Sequence, residues 1–259
     1  MCELLRTGRE RHGVVATKAE FEAEGTRTDE LLRLLEIAHR AGVDIALKVG
    51  GCEAIRDLLE AKQFGVRYII APMVETPYAL SKYIQAKSKV FSGEENDEVD
   101  FLFNLETITA YEHLDDLVSI ASGSPGCNGM VFGRVDFAGS LALGRQGIES
   151  EEVTSRAEKA AAACKKAGLD FVVGGAVSID ALDNLKRFNS VHLTRFETRK
   201  VVFDADALNL GTLEEALKDA VHFELLWLLN KRDYYGFIHK EDNARIEMLE
   251  ARWHVLDQG

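Results

Sequence analysis

The chain has 259 residues, of which 43 are acidic and 31 basic, so its formal net charge at pH 7 is −12. This charge repels nucleic-acid backbones and anionic membrane surfaces, and no basic patch offsets it, so we expect neither partner. A chain of this length can bury a sizeable core, and an α/β barrel of about 250 residues commonly folds as one unit. We therefore expect a single domain over residues 1–259 that acts on small molecules.

The cysteines and the N-terminal segment bear on the cellular compartment. The 4 cysteines are irregularly spaced and form no CxxC pair, which predicts free thiols rather than a zinc site. The N-terminal segment MCELLRTGRERHG lacks the apolar core of a signal peptide. No apolar run approaches the ~20 residues of a membrane span. We expect a cytoplasmic protein with no membrane partner.

Strand and helix patterns alternate along the first third of the chain. GVVATKAEFEAEG, residues 13–25, begins as a β-branched strand and continues into alternating charges. Lys18, Glu20 and Glu22 therefore share one face, which lies either in a barrel mouth or in solvent. DELLRLLEIAHRAG follows with leucines at helical spacing, and DIALKVGG is a second strand that has Lys48 near its end. VRYIIAPMVE is apolar throughout, as is typical of a strand buried on both faces.

The stretch from Ser88 to Asp100 is polar and acidic and has no periodicity. This composition favours a solvated loop, and a lid over an active site is the alternative.

Two carboxylates end the next two predicted strands, Glu106 after FLFNL and Asp136 after GMVFGRV. In a parallel barrel both would lie at the rim where barrel enzymes keep their catalytic residues. Such oxygen ligands suit Mg²⁺ or Mn²⁺, and a 2-oxo acid can bind the ion with two oxygens while the metal stabilises an enolate. The turn formed by Gly133, Arg134, Val135 and Asp136 is placed to present backbone N–H groups to a substrate carboxylate.

The last third of the chain continues the alternation and then turns helical. NSVHLTRFETRKVVFD holds a seventh strand, and the eighth lies either in KVVFD or in the N-terminal segment. We interpret Glu197 and its polar neighbours there as structural salt bridges. The pattern predicts an α/β fold, a TIM (β/α)8-type barrel with additional C-terminal helices over residues 211–259. A break at Tyr234–Gly236 divides these apolar helices, which we expect to pack on the barrel or on another subunit of a homo-oligomer.

Several segments resemble one known family. FNLETITAYEHLDDLVSI and GMVFGRVDFAGSLAL resemble the HpcH/HpaI aldolase and citrate lyase family, within the pyruvate-kinase-like barrel superfamily. IIAPMVET, residues 69–76, resembles that family's L-V-P-M-V-E/Q block, and the similarity is good over about Val43 to Leu143. The resemblance implies an often hexameric TIM barrel in which Glu106 and Asp136 hold a divalent metal. It also implies the cleavage or formation of bonds to pyruvate or acyl-CoA-like units.

Two positions depart from the family pattern. Where the family's aldolases have a substrate-binding arginine, this chain has Lys48, which keeps the charge but lacks the bidentate fork. The family's D-x-E-H segment, which supplies a histidine base, is matched only loosely by EFEAEG, which has no histidine. We therefore assign three catalytic residues, Lys48 to steady the substrate carboxylate or enolate and Glu20 or Glu22 as the base.

The leading functional hypothesis is a divalent-metal-dependent carbon–carbon lyase of the aldolase type that acts on a 2-oxo acid. One alternative is citrate-lyase-like cleavage of a CoA thioester, although no adenine or diphosphate site is recognisable. Another is a Schiff-base aldolase in which Lys18 or Lys48 is the nucleophile, which requires a depressed pKa. A barrel that binds a small acid after losing catalysis is the non-enzymatic alternative, and the missing histidine supports it.

Overall fold

The computed structural model describes residues 1–257, and its strands close into one barrel. The strands are β1 Val14–Glu20, β2 Asp44–Lys48, β3 Tyr68–Ala71, β4 Asp100–Leu105, β5 Gly129–Gly133, β6 Asp170–Gly174, β7 Arg195–Glu197 and β8 Val201–Asp204. The predicted barrel is confirmed, and KVVFD supplies its eighth strand. Residues 258 and 259 of the predicted domain and C-terminal segment lie outside the described residues.

The last strand runs against the other seven. Strands β1 to β7 pair in parallel, whereas β8 is antiparallel to both β7 and β1. Only residues 198–200 connect β7 to β8, and a parallel crossover needs about a dozen residues or more. The chain therefore returns as a hairpin, which is a departure from a regular (β/α)8 barrel.

Helices cover the outside of the barrel. They are α1 Cys2–Arg11, α2 Thr28–Ala41, α3 Ile55–Gln63, α4 Pro77–Val90, α5 Glu94–Asp97, α6 Ile108–Glu112, α7 Leu114–Ala121, α8 Arg134–Ser140, α9 Glu151–Ala167, α10 Leu182–Val191 and α11 Leu213–Asp257. Their apolar faces pack with the outward residues of the strands into one core cluster. A second, smaller cluster fills the barrel interior with one residue from each of seven strands: Ala16, Ala46, Ile70, Leu102, Val131, Val172 and Val202.

The acidic stretch from Ser88 to Asp100 is not a lid. Helix α4 continues to Val90, the one-turn helix α5 follows, and β4 begins at Asp100. A segment that enters a barrel strand lies at the amino end of the barrel, whereas active sites lie at the carboxyl end. The lid hypothesis is therefore wrong.

The C-terminal part is one continuous helix of 45 residues, so the predicted break at Tyr234–Gly236 is wrong. A single glycine costs a helix only about 1 kcal/mol, and the Tyr235 hydroxyl donates a 2.8 Å hydrogen bond to Glu30 Oε1 that fixes the helix there. Residues 236–257, which we call the arm, are exposed along their whole length. Among residues 1–257, no helix combines the length and apolarity needed to cross a membrane.

Candidate active site

A polar layer lies above the apolar interior of the barrel, at the carboxyl ends of the parallel strands. Side chains two positions apart on a strand point to the same side, so Lys18 follows Ala16 and Lys48 follows Ala46 into this layer. The layer forms the floor of a cavity of about 600 Å³. The predicted residues that line this cavity are Glu20, Glu22, Lys48, Glu106, Gly133, Val135 and Asp136.

Glu106 is buried at the end of β4, with 2% of its surface exposed. Its Oε1 accepts a 2.9 Å hydrogen bond from the Met73 N–H, and its Oε2 accepts one of 2.7 Å from Asn104 Nδ2. Burial raises the pKa of Glu106, and Lys48 and the two hydrogen bonds only partly counteract this. The carboxylate is therefore fixed in orientation and poorly solvated, which favours a cation beside it.

Lys48 supplies one positive charge next to Glu106. Its Nζ lies 3.6 Å from Glu106 Oε2 and 3.2 Å from Glu22 Oε2. Burial acts to lower the pKa of Lys48, but Glu106, Glu22 and Glu20 outweigh it and raise the pKa above its ordinary value. The ammonium suits a carboxylate or an enolate, whereas a Schiff-base nucleophile needs a depressed pKa.

Lys18 forms a second buried ion pair on the other side of the floor. Its Nζ lies 2.6 Å from Glu197 Oε1 and 3.3 Å from Glu20 Oε1. Burial acts to lower the pKa of Lys18, but these two carboxylates outweigh it and raise the pKa. A raised pKa disfavours the neutral amine that a Schiff-base nucleophile needs. Glu197, interpreted from the sequence as part of a structural salt bridge, does pair with Lys18, and it also lines the cavity.

The two predicted bases differ in their surroundings. Burial acts to raise the pKa of Glu20, but Lys18, Lys48 and Arg199 outweigh it and lower the pKa. Glu20 is therefore ionised at neutral pH and can accept a proton, although as a weak base. Glu22 Oε2 is buried and accepts no hydrogen bond within residues 1–257, although the Lys48 ammonium lies 3.2 Å away.

Asp136 lies in the first turn of α8, where its side chain is exposed at the mouth of the cavity. Its negative charge is the smallest of the contributions to the raised pKa of Glu106. Gly133 and Val135 line the same part of the wall. The geometry thus brings the two predicted metal ligands to one cavity.

The Arg134 side chain points away from this cavity. It is fully buried, its Nη1 lies 2.8 Å from Glu149 Oε1, and its Nη2 donates a 2.7 Å hydrogen bond to the carbonyl of Gly175. The guanidinium ties α8 to the segment after β6. The predicted substrate contact of the Arg134 side chain is therefore wrong, whereas Gly133, Val135 and Asp136 of the same turn line the cavity.

Sequence reasoning left several cavity residues unassigned to the site, among them Asn104, Glu197 and Arg145. Asn104 precedes Glu106 by two residues on one strand, so the alternation of side chains was a usable signal. Glu197 ends β7 much as Glu106 follows β4, but the bounds of β7 were not clear from its mixed composition. Arg145 lies in a short turn after α8, where no periodic pattern identifies a site residue.

The donor set fits a divalent cation. Asn104 Oδ1 is a buried oxygen that accepts no hydrogen bond within the described chain, and Asn104 lines the cavity with Glu106 and Asp136. Six carboxylates line it against four cations, so its wall is net negative: Glu20, Glu22, Glu106, Asp136, Glu197 and Glu224 against Lys18, Lys48, Arg145 and Arg199. No group of three His, Cys, Asp or Glu residues is arranged for a metal within residues 1–257. Two carboxylates are what Mg²⁺ commonly receives from a protein, with water completing its shell.

Comparison with solved structures finds barrels of one kind. An HpcH/HpaI aldolase from Desulfitobacterium hafniense DCB-2 has a TM-score of 0.63 at 17% identity, over 83% of this chain and 86% of its own. An HpcH/HpaI aldolase/citrate lyase family protein from Burkholderia cenocepacia J2315 has a TM-score of 0.62 at 14% identity, over 85% and 90% of the two chains. A citrate synthase variant has a TM-score of 0.57 at 13% identity, over 87% and 90%. At these identities the likeness shows the fold alone.

Comparison of the sequence itself gives the family. No curated protein matches the chain. The profile described as HpcH/HpaI aldolase/citrate lyase matches residues 14–188, a stretch that begins at β1 and ends in α10. It includes Glu106, Asp136 and Lys48, and it covers more than half of the chain. The protein therefore belongs to the HpcH/HpaI aldolase/citrate lyase family.

Proposed function

We propose that this protein is a carbon–carbon lyase of the aldolase type that acts on a 2-oxo acid and depends on a divalent metal, Mg²⁺ or Mn²⁺. The observation that supports this most is the Glu106 carboxylate, which is buried, oriented by Met73 and Asn104, and next to the Lys48 ammonium. The Glu106 carboxylate would bind a divalent cation there, and the cation and the Lys48 ammonium would together stabilise the negative charge of an enolate. The aldolase and citrate lyase character of the family agrees with this class of reaction.

Glu106 and Asp136 would hold the ion, with Asn104 beside them as a further oxygen donor. When bound, a divalent ion supplies Lewis-acid stabilisation of an enolate. The Lys48 ammonium binds the substrate carboxylate or adds its charge at the enolate oxygen. A cavity of about 600 Å³ has room for a 2-oxo acid together with a larger acceptor. Glu20 or Glu22 takes and returns the proton, because both line this cavity as carboxylates.

Exchange of the methyl protons of pyruvate in D₂O, followed by NMR, tests enolate formation directly. We expect exchange with Mg²⁺ or Mn²⁺, and its loss with EDTA and in Glu106→Gln. The matched control is Glu112→Gln, an exposed glutamate outside the cavity, which should exchange like the wild type. Titration with Mn²⁺ followed by electron paramagnetic resonance should show weaker binding in Glu106→Gln only. Exchange that survives EDTA would remove the metal from the proposal.

Two alternative chemistries have their own tests. Both cavity lysines have raised pKa values, so borohydride with pyruvate should label neither Lys18 nor Lys48. Citrate-lyase-like cleavage requires binding of CoA, which calorimetry measures. We expect no CoA binding, because Arg199 is paired with Glu24 at the cavity rim and leaves few cations for a diphosphate. A barrel that binds 2-oxo acids but catalyses neither exchange nor cleavage would favour the non-enzymatic alternative.

We also propose that the chain forms a homo-oligomer through α11. Four of the exposed apolar residues of the arm are spaced three or four residues apart, Ile246, Leu249, Trp253 and Leu256, beside a groove of about 670 Å³. The spacing is that of a helix–helix seam, and helices in proteins gain most of their stability from packing of an apolar face. A partner helix on this seam would stabilise the arm.

The same seam continues onto the part of α11 that packs on the barrel, where Val221, Leu225 and Leu228 are more than half exposed. Leu225 and Trp253, one from each apolar end of the seam, lie at equal distances from His239 along the helix. A second copy in antiparallel orientation therefore places the arm of each chain on the exposed α11 face of the other, which is an isologous pairing. As part of the same proposal we place the protein in the cytoplasm, because its cysteines are free thiols.

A further inference from the structure

The floor of the cavity holds two lysine–glutamate pairs that are built alike, and the proposed function uses only the pair of Lys48 and Glu106. In the other pair, Lys18 of β1 meets Glu197 of β7 at 2.6 Å. Gly174 of β6 leaves the space for this contact, since a Cβ there would lie 2.9 Å from Glu197 Oε1. The first pair depends on a glycine in the same way, since a Cβ on Gly133 of β5 would lie 2.8 Å from Glu106 Oε2.

A purely structural role explains this second pair poorly. Burying two ions costs several kcal/mol of desolvation each, and apolar residues of similar size often stabilise a fold equally well. Lys18 and Glu197 also border the cavity rather than lie inside the packed interior. Their charges are thus available to a bound molecule.

The Lys18 ammonium has a donor to spare. An ammonium carries three N–H donors, and the two carboxylates within reach of Lys18 Nζ are Glu197 Oε1 at 2.6 Å and Glu20 Oε1 at 3.3 Å. The side chain is 10% exposed, on the cavity side. A fixed, charged donor in a mostly buried place is what stabilises a developing oxyanion.

An aldol reaction develops negative charge on two oxygens. One is the keto oxygen of the 2-oxo acid, which the proposed function places near Lys48 and Glu106. The other is the oxygen of the acceptor, which is an aldehyde carbonyl in one direction and a hydroxyl group in the other. Lys18 is the second lysine in the floor of the cavity, so its ammonium can donate a hydrogen bond to the acceptor oxygen while Lys48 serves the keto oxygen.

We infer that Lys18 is a catalytic residue that donates a hydrogen bond to the acceptor oxygen, that Glu20 exchanges the proton of this oxygen, and that Glu197 is a positioning residue for Lys18. The inference rests on the proposed function. In cleavage, Glu20 takes the hydroxyl proton, the O–H electron pair forms the C=O bond, and the adjacent carbon–carbon bond breaks. The electron pair of the broken carbon–carbon bond forms the enolate. The enolate then takes a proton from water, and Glu20 releases the hydroxyl proton to solvent. Nothing is oxidised or reduced.

Two assays on one protein separate the two ends of the site. Exchange of pyruvate methyl protons uses only the enolate end, whereas cleavage of a 4-hydroxy-2-oxo acid uses both. We expect Lys18→Met to keep exchange within about twofold while kcat for cleavage falls by about 100-fold or more. Lys18→Arg keeps a charged donor and should recover part of the loss. Lys159→Met, at an exposed site on α9, is the control and should leave both assays unchanged.

Glu197→Gln tests the positioning role. A glutamine keeps the shape but holds the ammonium less firmly, so we expect kcat for cleavage to fall by about tenfold with KM and exchange unchanged. A loss that merely reflects weakened folding would lower both assays together.

The assays distinguish a failure of the inference about Lys18 from a failure of the proposed function. Equal loss of exchange and cleavage in Lys18→Met, or no loss of cleavage, would overturn the inference. A wild-type protein that catalyses no exchange would overturn the proposed function before Lys18 is varied. If Lys18→Met does not fold because Glu197 is left buried and unpaired, the variant Lys18→Met with Glu197→Leu removes both charges. This double variant should also keep proton exchange and lose cleavage. If it loses both or neither, the proposed role of Lys18 is overturned as well.

Discussion

Gly133 and Glu106 meet across two neighbouring strands so closely that a Cβ on Gly133 would lie 2.8 Å from Glu106 Oε2. Gly133→Ala should therefore push the carboxylate out of its place. We expect Mn²⁺ affinity, measured by electron paramagnetic resonance, to fall by about tenfold or more, with cleavage activity falling alongside it. Gly139→Ala is the matched control, because nothing lies within 4 Å of a Cβ at that position in α8. Unchanged Mn²⁺ binding in Gly133→Ala would show that Glu106 is not a ligand.

Lys48 should have opposite effects on metal and on substrate. Its ammonium lies 3.6 Å from Glu106 Oε2, so it repels any cation held there. Lys48→Met should tighten Mn²⁺ binding by about tenfold, because a like charge is removed at close range. The same variant should lose most turnover, because the substrate carboxylate loses its counter-charge. The exposed Lys89→Met serves as control and should change neither quantity. Weaker Mn²⁺ binding in Lys48→Met would place the lysine in support of the metal instead.

Arg134 should matter for stability rather than for substrate. Its side chain is 1% exposed and is paired with Glu149, and its removal leaves both Glu149 and the Gly175 carbonyl with fewer donors. We expect Arg134→Met to lower the free energy of unfolding by about 2–4 kcal/mol in urea denaturation. Arg33→Met, which breaks an exposed pair with Glu36, should cost less than about 1 kcal/mol. A stable Arg134→Met protein with a raised KM would instead assign the guanidinium to substrate binding.

Lys87 offers a stability test that depends on pH. Its Nζ lies 4.4 Å from the Phe101 ring centre and 3.3 Å from Asn96 Oδ1, and burial lowers its pKa below the ordinary 10.5. The folded state thus binds this proton less tightly than the unfolded chain. The charge destabilises the fold at neutral pH, and the penalty disappears as pH rises through the lowered pKa toward 10.5.

Lys87→Met should accordingly raise the free energy of unfolding by about 1 kcal/mol at pH 7, measured in urea. The gain should shrink as the titration is repeated toward pH 10. Lys89→Met, two residues further on the exposed side of the same helix, should give no gain at either pH. A destabilised Lys87→Met protein would mean that the ring and amide contacts outweigh the cost of burial.

The sequence predicted the parts of this molecule that depend on local rules. The position of Glu106 at the end of β4 and the place of both Glu106 and Asp136 at one cavity followed from alternation and barrel geometry. Asp136 was predicted to end β5, but this strand ends at Gly133 and Asp136 lies in the first turn of α8. The burial of Arg134 did not follow, because its partners Glu149 and Gly175 lie 15 and 41 residues away along the chain. The break expected at Gly236 failed because Tyr235 is held by Glu30, a contact 205 residues apart. Tertiary contacts of this kind leave no periodic signal.

The antiparallel pairing proposed for α11 predicts which residues hold two copies together. In that arrangement Trp253 of one chain faces Leu225 of the partner, since both lie on the seam at equal distances from His239. Trp253→Glu should convert the oligomer to a monomer in sedimentation velocity, because a charge would be buried in an apolar seam. Val255→Glu changes an equally exposed apolar residue off the seam and should leave the oligomer intact.

A reciprocal substitution distinguishes this arrangement from arms that pair only with each other. Leu225 lies on the part of α11 that packs on the barrel, so an arm-to-arm contact would not include it. In the isologous pairing Leu225 of each copy contacts Trp253 of the other copy. Leu225→Glu should therefore dissociate the oligomer as fully as Trp253→Glu does. An oligomer that survives Leu225→Glu would restrict the interface to the arm, and a monomeric wild type would contradict both arrangements. The symmetric seam thus requires both positions to be sensitive.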